Sequence, residues 1–256
     1  MPDTLVAIVT GGSQGIGAAI CIELLKNGYR VCIADIQELK AIEFTNEQKS
    51  VYGEENITTI CCDVSKESDY ISLFEKTLKK FKRVDVLINN AGIILEENPR
   101  KCLEVNLLGT LIGCHTALKY MGKSKGGNGG TVINMSSSAV FSKGSHLPAY
   151  TASKNGIIGL TRSFGHPHHY DKDGIIFAAL CPFAVDTDLL KSAIKNVDPT
   201  SVPMDIFTDV MSPEFTAKGV MKILEDKING STLAVLPDAY HYVKIADKLQ
   251  NLFSKA

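Results

Sequence analysis

A doubly wound α/β fold, with a parallel sheet of seven strands in one domain over residues 1–256, is the class that three features of this chain predict. Short apolar, β-branched runs alternate with longer amphipathic stretches. Most of the runs are almost continuously hydrophobic, as strands covered on both faces must be. A glycine-rich turn follows the first run directly. Regular strand–helix alternation makes successive strands parallel, with the helices as crossovers on either face.

In order, the strands are expected at LVAIV (5–9), RVCIA (30–34), ITTICC (57–62), VDVLIN (84–89), TVINMS (131–136), GIIFAALC (174–181) and TLAVL (232–236). Helices are expected over 15–27, 39–52, 69–81, 100–121, 150–164 and 213–228. KGGNGG at 125–130 reads as a turn before the fifth strand. Pro167 ends the 150–164 helix early, because it lacks an N–H and clashes with the turn before it. Residues 188–212 carry Pro199 and Pro203 among apolar residues such as Leu189, Ile194 and Phe207, and an apolar excursion of this length fits a substrate lid better than a linker.

The formal net charge is −1 and no basic run exceeds two residues, so there is no electrostatic footprint for nucleic acid or an anionic membrane. Partners are therefore small molecules or copies of the chain. Seven scattered cysteines without a C-x-x-C pair fit a reduced compartment rather than a disulfide frame or a zinc site. MPDTLVAIVTGG has no basic leader, no window offers the ~18 apolar residues of a membrane span, and a cytoplasmic protein is expected. His166, His168 and His169 lack a matching carboxylate or cysteine set and read as exposed helix-end residues; no metal is expected.

TGGSQGIG places Gly11, Gly15 and Gly17 between the first strand and the first helix. Glycines there let the backbone turn tightly and approach a pyrophosphate, which the helix N-terminal amides and dipole would hold. The spacing is G-x-x-x-G-x-G, and a glycine turn that only packs strand on helix is the alternative; the strand–glycine–helix order favours a dinucleotide. Asp35 ends the second strand, where a carboxylate would bind a ribose 2′-hydroxyl and repel a 2′-phosphate. Its neighbours Ile36 and Gln37, with Ser13 and Gln14 in the glycine loop, offer no charge to neutralise a phosphate, so NAD is favoured over NADP.

Tyr150 and Lys154 stand at i and i+4 and share one helix face. A free phenol loses its proton near pH ~10, whereas an ammonium ~4 Å away can supply up to roughly 4 kcal/mol, about three pKa units. Such a pair alone is common on surface helices. Joined to TGGSQGIG, Asp35, NNAG at 89–92 and the serine run 136–138, it resembles the short-chain dehydrogenase/reductase family over nearly the whole chain. VDVLINNAGI, KGGNGGTVINMSS and YTASKNGIIGLTRS are most similar to that family's NAD-linked 15-hydroxyprostaglandin dehydrogenase and insect alcohol dehydrogenase branches.

The resemblance implies a Rossmann-type sheet and a role for each matching residue. The family's catalytic serine lies 13 residues before the tyrosine, which is Ser137 here; Ser136 and Ser138 become structural neighbours. Ser137 would hold the substrate oxygen, Tyr150 would exchange the proton, and Lys154 would lower the tyrosine pKa and bind the nicotinamide ribose. Asn106 matches the asparagine that holds a helix kink and a water of the proton relay. NAD contacts carry over to the loop residues Gly11, Ser13, Gln14, Gly15, Ile16 and Gly17, to Asp35 and Ile36, and to Asp63 and Val64 beside the adenine. Asn90, Ala91 and Gly92 would lie beneath the ribose, Val185 and Thr187 against the carboxamide.

Two departures concern the substrate pocket. Phe183 stands where the family has a glycine after Pro182, and would intrude on the nicotinamide side. Leu147 replaces a substrate-contacting glutamine of the prostaglandin enzymes, which removes a polar contact. The implied activity is an NAD-dependent dehydrogenase for an apolar primary or secondary alcohol, of terpenoid, steroid, fatty or prostaglandin-like type. A catalytically inactive dinucleotide-binding or scaffold protein of the same fold is the alternative. The resemblance also implies a homodimer, with a tetramer as the other option.

Overall fold

A computed structural model describes residues 4–141, 147–195 and 209–243. All seven expected strands form: β1 (Val6–Thr10), β2 (Arg30–Asp35), β3 (Ile57–Cys61), β4 (Val86–Asn89), β5 (Gly130–Met135), β6 (Ile175–Pro182) and β7 (Ser231–Leu236). Every residue of β1, β4 and β6 is buried, which explains why those runs show no polar alternation. The sheet gains an eighth strand, β8 (Ala239–Tyr242), paired antiparallel to β7 around Pro237 and Asp238. Its four residues are too short a run to stand out in the sequence. Side-chain bonds hold it in place: the Tyr240 hydroxyl donates to the Phe215 carbonyl and that of Tyr242 to Asp226.

The strand order is β3-β2-β1-β4-β5-β6-β7-β8. Chain direction across the sheet reverses between β1 and β4, and a crevice opens beyond the carboxyl ends of strands at such a switch point.

Nine helices and one π turn are assigned among the described residues: α1 (Gly15–Lys26), α2 (Glu38–Tyr52), α3 (Glu67–Phe81), α4 (Pro99–Leu103), the π turn Glu104–Leu108, α5 (Gly109–Met121), α6 (Pro148–Phe164), α7 (Pro167–Asp173), α8 (Asp188–Lys195) and α9 (Pro213–Asp226), with 3-10 turns between. One apolar core lies under α1 and α9, with Ile20, Leu24, Val220 and Ile223 packed on Val9 and Ile88. The other lies under α3 and α5, where Tyr70, Phe74 and Cys114 meet Ile8 and Leu87. The helix expected over 100–121 is interrupted at the π turn, a device that frees backbone groups at functional positions.

α6 stops at Phe164, as the sequence suggests, and Pro167 then takes the first position of α7, where no N–H is required. His166 and His168 are exposed at this junction, and the His166 Nδ1 accepts from the His168 amide. Of the expected lid, α8 is described and residues 196–208 lie outside the described residues. The ends of the excursion are tied together: Met211 N donates to Ala184 O at 2.8 Å and Asp186 N to Met211 O at 2.9 Å.

Candidate active site

The carboxyl ends of β1 and β4 are stitched into one floor. Thr10 Oγ1 accepts from the amides of Asn90 and Ala91, while Asn90 Nδ2 donates to the carbonyls of Thr10 and Gly11 at 2.9 and 3.0 Å. Gly11 sits at φ +62°, and a Cβ there would come within 2.9 Å of the Ala91 backbone. At Gly17 a Cβ would meet the Gly11 carbonyl at 2.0 Å, so this glycine lets α1 press on the loop. α1 begins without a side-chain cap and without an acidic residue in its first turn. A positive helix end left open above a glycine cradle fits a dinucleotide pyrophosphate. Thr187 reaches this loop from the far side, its Cγ2 3.1 Å from the Cβ position of Gly15, while Val185 is buried beside Met211. Ile16 is half-buried on the loop side of α1.

Asp35 is buried at the end of β2; its Oδ2 accepts from the Ser13 hydroxyl at 2.6 Å and amide at 3.1 Å, and its Oδ1 from the Gln37 amide. Ile36 is exposed beside it. The surroundings differ from the sequence reading in one respect: Lys40 of α2 hydrogen-bonds to Gln14, so a cation does approach the loop. One helical turn brings it there, although it is distant from Gln14 in the chain. Asp63 accepts from the Ser65 hydroxyl and amide, and Lys66 lies 3.6 Å away. Burial pushes this carboxyl up, but the Ser65 bonds and the charges of Lys101 and Lys66 outweigh it and hold it below its ordinary value. Val64 is buried against Gly109.

Tyr150 and Lys154 project from the first two turns of α6 and are both buried. Ser136 Oγ donates to the Lys154 carbonyl at 2.9 Å, which gives that serine the structural part expected of it. The Ser137 hydroxyl accepts from the Ala139 amide at 3.2 Å, and its side chain acts on Tyr150 to lower the phenol pKa. Lys154 Nζ donates to the Met135 carbonyl at 2.8 Å and stands 5.4 Å from the centre of the Tyr150 ring. A Cβ on Gly92 would meet that Nζ at 3.4 Å, so the floor reaches the base of the pair.

The electrostatics correct the sequence expectation. Burial pushes the Tyr150 phenol up to about 12, and only the Ser137 bond pulls it down. Burial also brings the Lys154 ammonium down to about 8. Desolvation disfavours both charged forms, and the hydrogen bond that the ammonium makes is to the Met135 carbonyl.

Asn106 lies in the π turn and is fully buried. Its Oδ1 accepts from Ile93 N at 2.8 Å; its Nδ2 donates to Ile93 O at 2.9 Å and to Ser153 Oγ at 3.1 Å. It thereby fastens the loop after β4 to α6. Leu147, Ile94, Leu95 and Ala139, all partly buried, pack against the small apolar cluster of Cys102, Ala149 and Tyr150 and form an apolar wall beside the tyrosine. Phe183, expected on the nicotinamide side of the pocket, is partly buried and packs against the core under α1 and α9, and its amide is bonded to Val235 O at 2.9 Å. The bond to β7 fixes its backbone.

Three residues at this site are not among those the sequence suggested. Thr10 stands inside the quoted glycine motif and was legible there in principle; Lys40 and Glu96 reach the site only through folding. Glu96 accepts from the amides of Ala149 and Tyr150, 53 and 54 residues further along.

The family described as short chain dehydrogenase matches residues 5–198. The chain is 34% identical to 15-hydroxyprostaglandin dehydrogenase (NAD(+)) of Mus musculus, over 90% of this chain and 89% of that protein. It is 30% identical to (+)-borneol dehydrogenase 2 of Salvia officinalis, over 93% and 84% respectively. Alcohol dehydrogenase 1 of Ceratitis cosyra shares 27% identity over 88% of each chain. A crystal structure of levodione reductase superposes with a TM-score of 0.79, covering 92% of this chain and 96% of that one; at 24% identity the likeness is one of fold.

Proposed function

Because the chain belongs to the short-chain dehydrogenase/reductase family, an oxidoreductase family, we propose that it transfers a hydride between NAD and an apolar primary or secondary alcohol or its carbonyl counterpart. The observation that carries this reading is the buried Tyr150–Lys154 pair, with the Lys154 ammonium 5.4 Å from the centre of the tyrosine ring, beside the Gly11–Gly17 cradle. NAD, which the glycine loop, Asp35 and Asn90 would hold, would supply the hydride acceptor.

The chain's own groups do the rest. Ser137 holds the substrate oxygen, and Tyr150 receives its proton in oxidation or donates it in reduction. The Tyr150 phenol, near pKa 12, already holds its proton, so it takes the alcohol proton only as it passes its own on. Lys154, near pKa 8 and so the first of the buried pair to be deprotonated as pH rises, is the base that would receive it. Asn106 holds the loop after β4 and α6 in register. The glycine loop with Ser13, Gln14 and Ile16 would take the pyrophosphate, and Asp35 with Ile36 the adenosine ribose. Asp63 and Val64 would lie at the adenine, Asn90, Ala91 and Gly92 under the nicotinamide ribose, and Val185 and Thr187 at the carboxamide. NAD is favoured over NADP because the Asp35 carboxylate would oppose a 2′-phosphate even with Lys40 at the loop rim.

The wall of Leu147, Ile94 and Leu95 supports an apolar substrate. The relatives' names extend from a hydroxyprostaglandin to borneol, and Leu147 speaks for the less polar end of that range. The inactive scaffold drew its support from Phe183 blocking the pocket, and the packing of that ring under α1 and α9 weakens it. No helix among the described residues is long and apolar enough to cross a membrane. Seven free cysteines support a cytoplasmic setting. Leu103, just before the π turn, and Leu108, its last residue, are exposed and support association into a homodimer.

A panel of apolar alcohols with NAD, followed by the absorbance of the reduced cofactor, tests the reading. Tyr150→Phe should lower turnover by about 10²–10⁴-fold while leaving NAD binding largely intact. Equal rates in the two proteins would refute the assigned chemistry.

A further inference from the structure

The helix that carries Tyr150 begins at Leu147 without a side-chain cap of its own. Its first-turn amides can be followed one by one. Pro148 has no N–H, and Thr151 N donates to Leu147 O at 2.8 Å. That leaves Ala149 and Tyr150, whose amides donate to the two oxygens of one carboxylate, Glu96 Oε2 at 3.0 Å and Oε1 at 2.9 Å. A two-oxygen anion on the positive end of a helix satisfies donors that would otherwise be orphaned and is favoured by the macrodipole. The loop supplying it also carries Ile94 and Leu95, which pack around Tyr150, and Ile93, which Asn106 grips. One loop therefore meets the tyrosine at its backbone and at its ring.

From this geometry we infer that Glu96 is a positioning residue for Tyr150: it fixes the amide of the tyrosine itself and so aims the phenol at Ser137. The inference rests on the dehydrogenase reading for its kinetic consequences, but not for its structural ones. Misplacing a reacting group by even ~1 Å can cost on the order of 10²-fold in rate, with binding elsewhere untouched. The effect is therefore expected in kcat and not in cofactor affinity.

The test compares Glu96→Ala, Glu96→Gln and, as a control for loop charge alone, Glu97→Gln at the exposed neighbouring position. Glu96→Ala should lower kcat roughly 10- to 100-fold with the NAD Kd within about twofold of wild type. Glu96→Gln keeps the shape and one strong acceptor, and should recover part of the loss; Glu97→Gln should match wild type. Amide hydrogen exchange over residues 147–156 should quicken by about 10-fold in Glu96→Ala, with α5 unchanged. If the alanine chain does not fold, Glu96→Gln carries both measurements, with smaller changes of the same sign. Wild-type kcat in the variants, or unaltered exchange at the start of α6, overturns the inference. A wild-type chain without turnover sinks the dehydrogenase reading instead, and exchange alone then decides whether Glu96 holds the helix.

Discussion

Lys154 is a buried ammonium whose folded pKa of about 8 lies below the 10.5 of an unburied lysine. Between those values the unfolded chain binds more protons than the folded one, so this residue makes stability rise with pH through that window and lowers it below pH 8. From pH 8 to 10 the gain is about 2 kcal/mol, from 1.36 kcal/mol per pKa unit. Lys154→Met removes the group, and its denaturant-derived stability should climb about 2 kcal/mol less than wild type between those pH values. Parallel pH curves for the two proteins would show that the ammonium is not desolvated. The Tyr150–Lys154 pair itself was legible in the sequence, because i and i+4 share a face and the family pattern surrounds them. Its electrostatics were not. An ammonium ~4 Å away implies a lowered phenol pKa, whereas burial raises it in the fold. Glu96 and Lys40 lay beyond sequence reasoning for a related reason, since no local spacing joins either to the residue it meets.

Four elements are joined beneath the site by one directional chain of hydrogen bonds. The Tyr70 hydroxyl of α3 donates to Asn89 Oδ1 in β4 at 2.8 Å, Asn89 Nδ2 to Asn134 Oδ1 in β5 at 2.8 Å, and Asn134 Nδ2 to Thr161 Oγ1 in α6 at 3.0 Å. All four residues are buried, and a Cβ on Gly113 would fall 2.3 Å from Asn89 Oδ1, so the chain exists only because α5 offers a glycine there. Burial holds the Tyr70 phenol well above its ordinary pKa, which keeps it a donor at any working pH. Tyr70→Phe leaves the Asn89 oxygen unsatisfied in an apolar setting and should cost about 1–3 kcal/mol, read as a lower denaturant midpoint at unchanged slope. No change would mean that Asn89 finds another donor. Helix and strand positions agree with the sequence to within a few residues, since periodicity and turn residues are local signals. The π turn and β8 do not emerge that way: the first is held by Asn106 contacts to Ile93 and Ser153, the second by pairing with β7 and tyrosine bonds to α9.

The sheet is one continuous layer between two cores, and β4 shows how tightly the two are joined. Consecutive residues point to opposite sides of a strand, so Leu87 enters the core under α3 and α5 while Ile88 enters the one under α1 and α9. Both are wholly buried. If the chain is a single domain, neither core can open without the strand they share. Leu87→Ala and Ile88→Ala should then each lower stability by about 2–5 kcal/mol, and each should still unfold in one transition seen alike by circular dichroism and tyrosine fluorescence. Separate units on the two faces would respond otherwise: each substitution would shift only part of the signal and leave a second, unshifted step. The glycine cradle leans on α1 and the Tyr150 group on α6, and both rest on β4 through Asn90 and the loop after it. Saturating dinucleotide should accordingly raise the midpoint of both alanine variants by similar amounts, because a ligand that binds only the folded chain stabilises all that unfolds with its site. A shift confined to one variant would divide the molecule along the sheet.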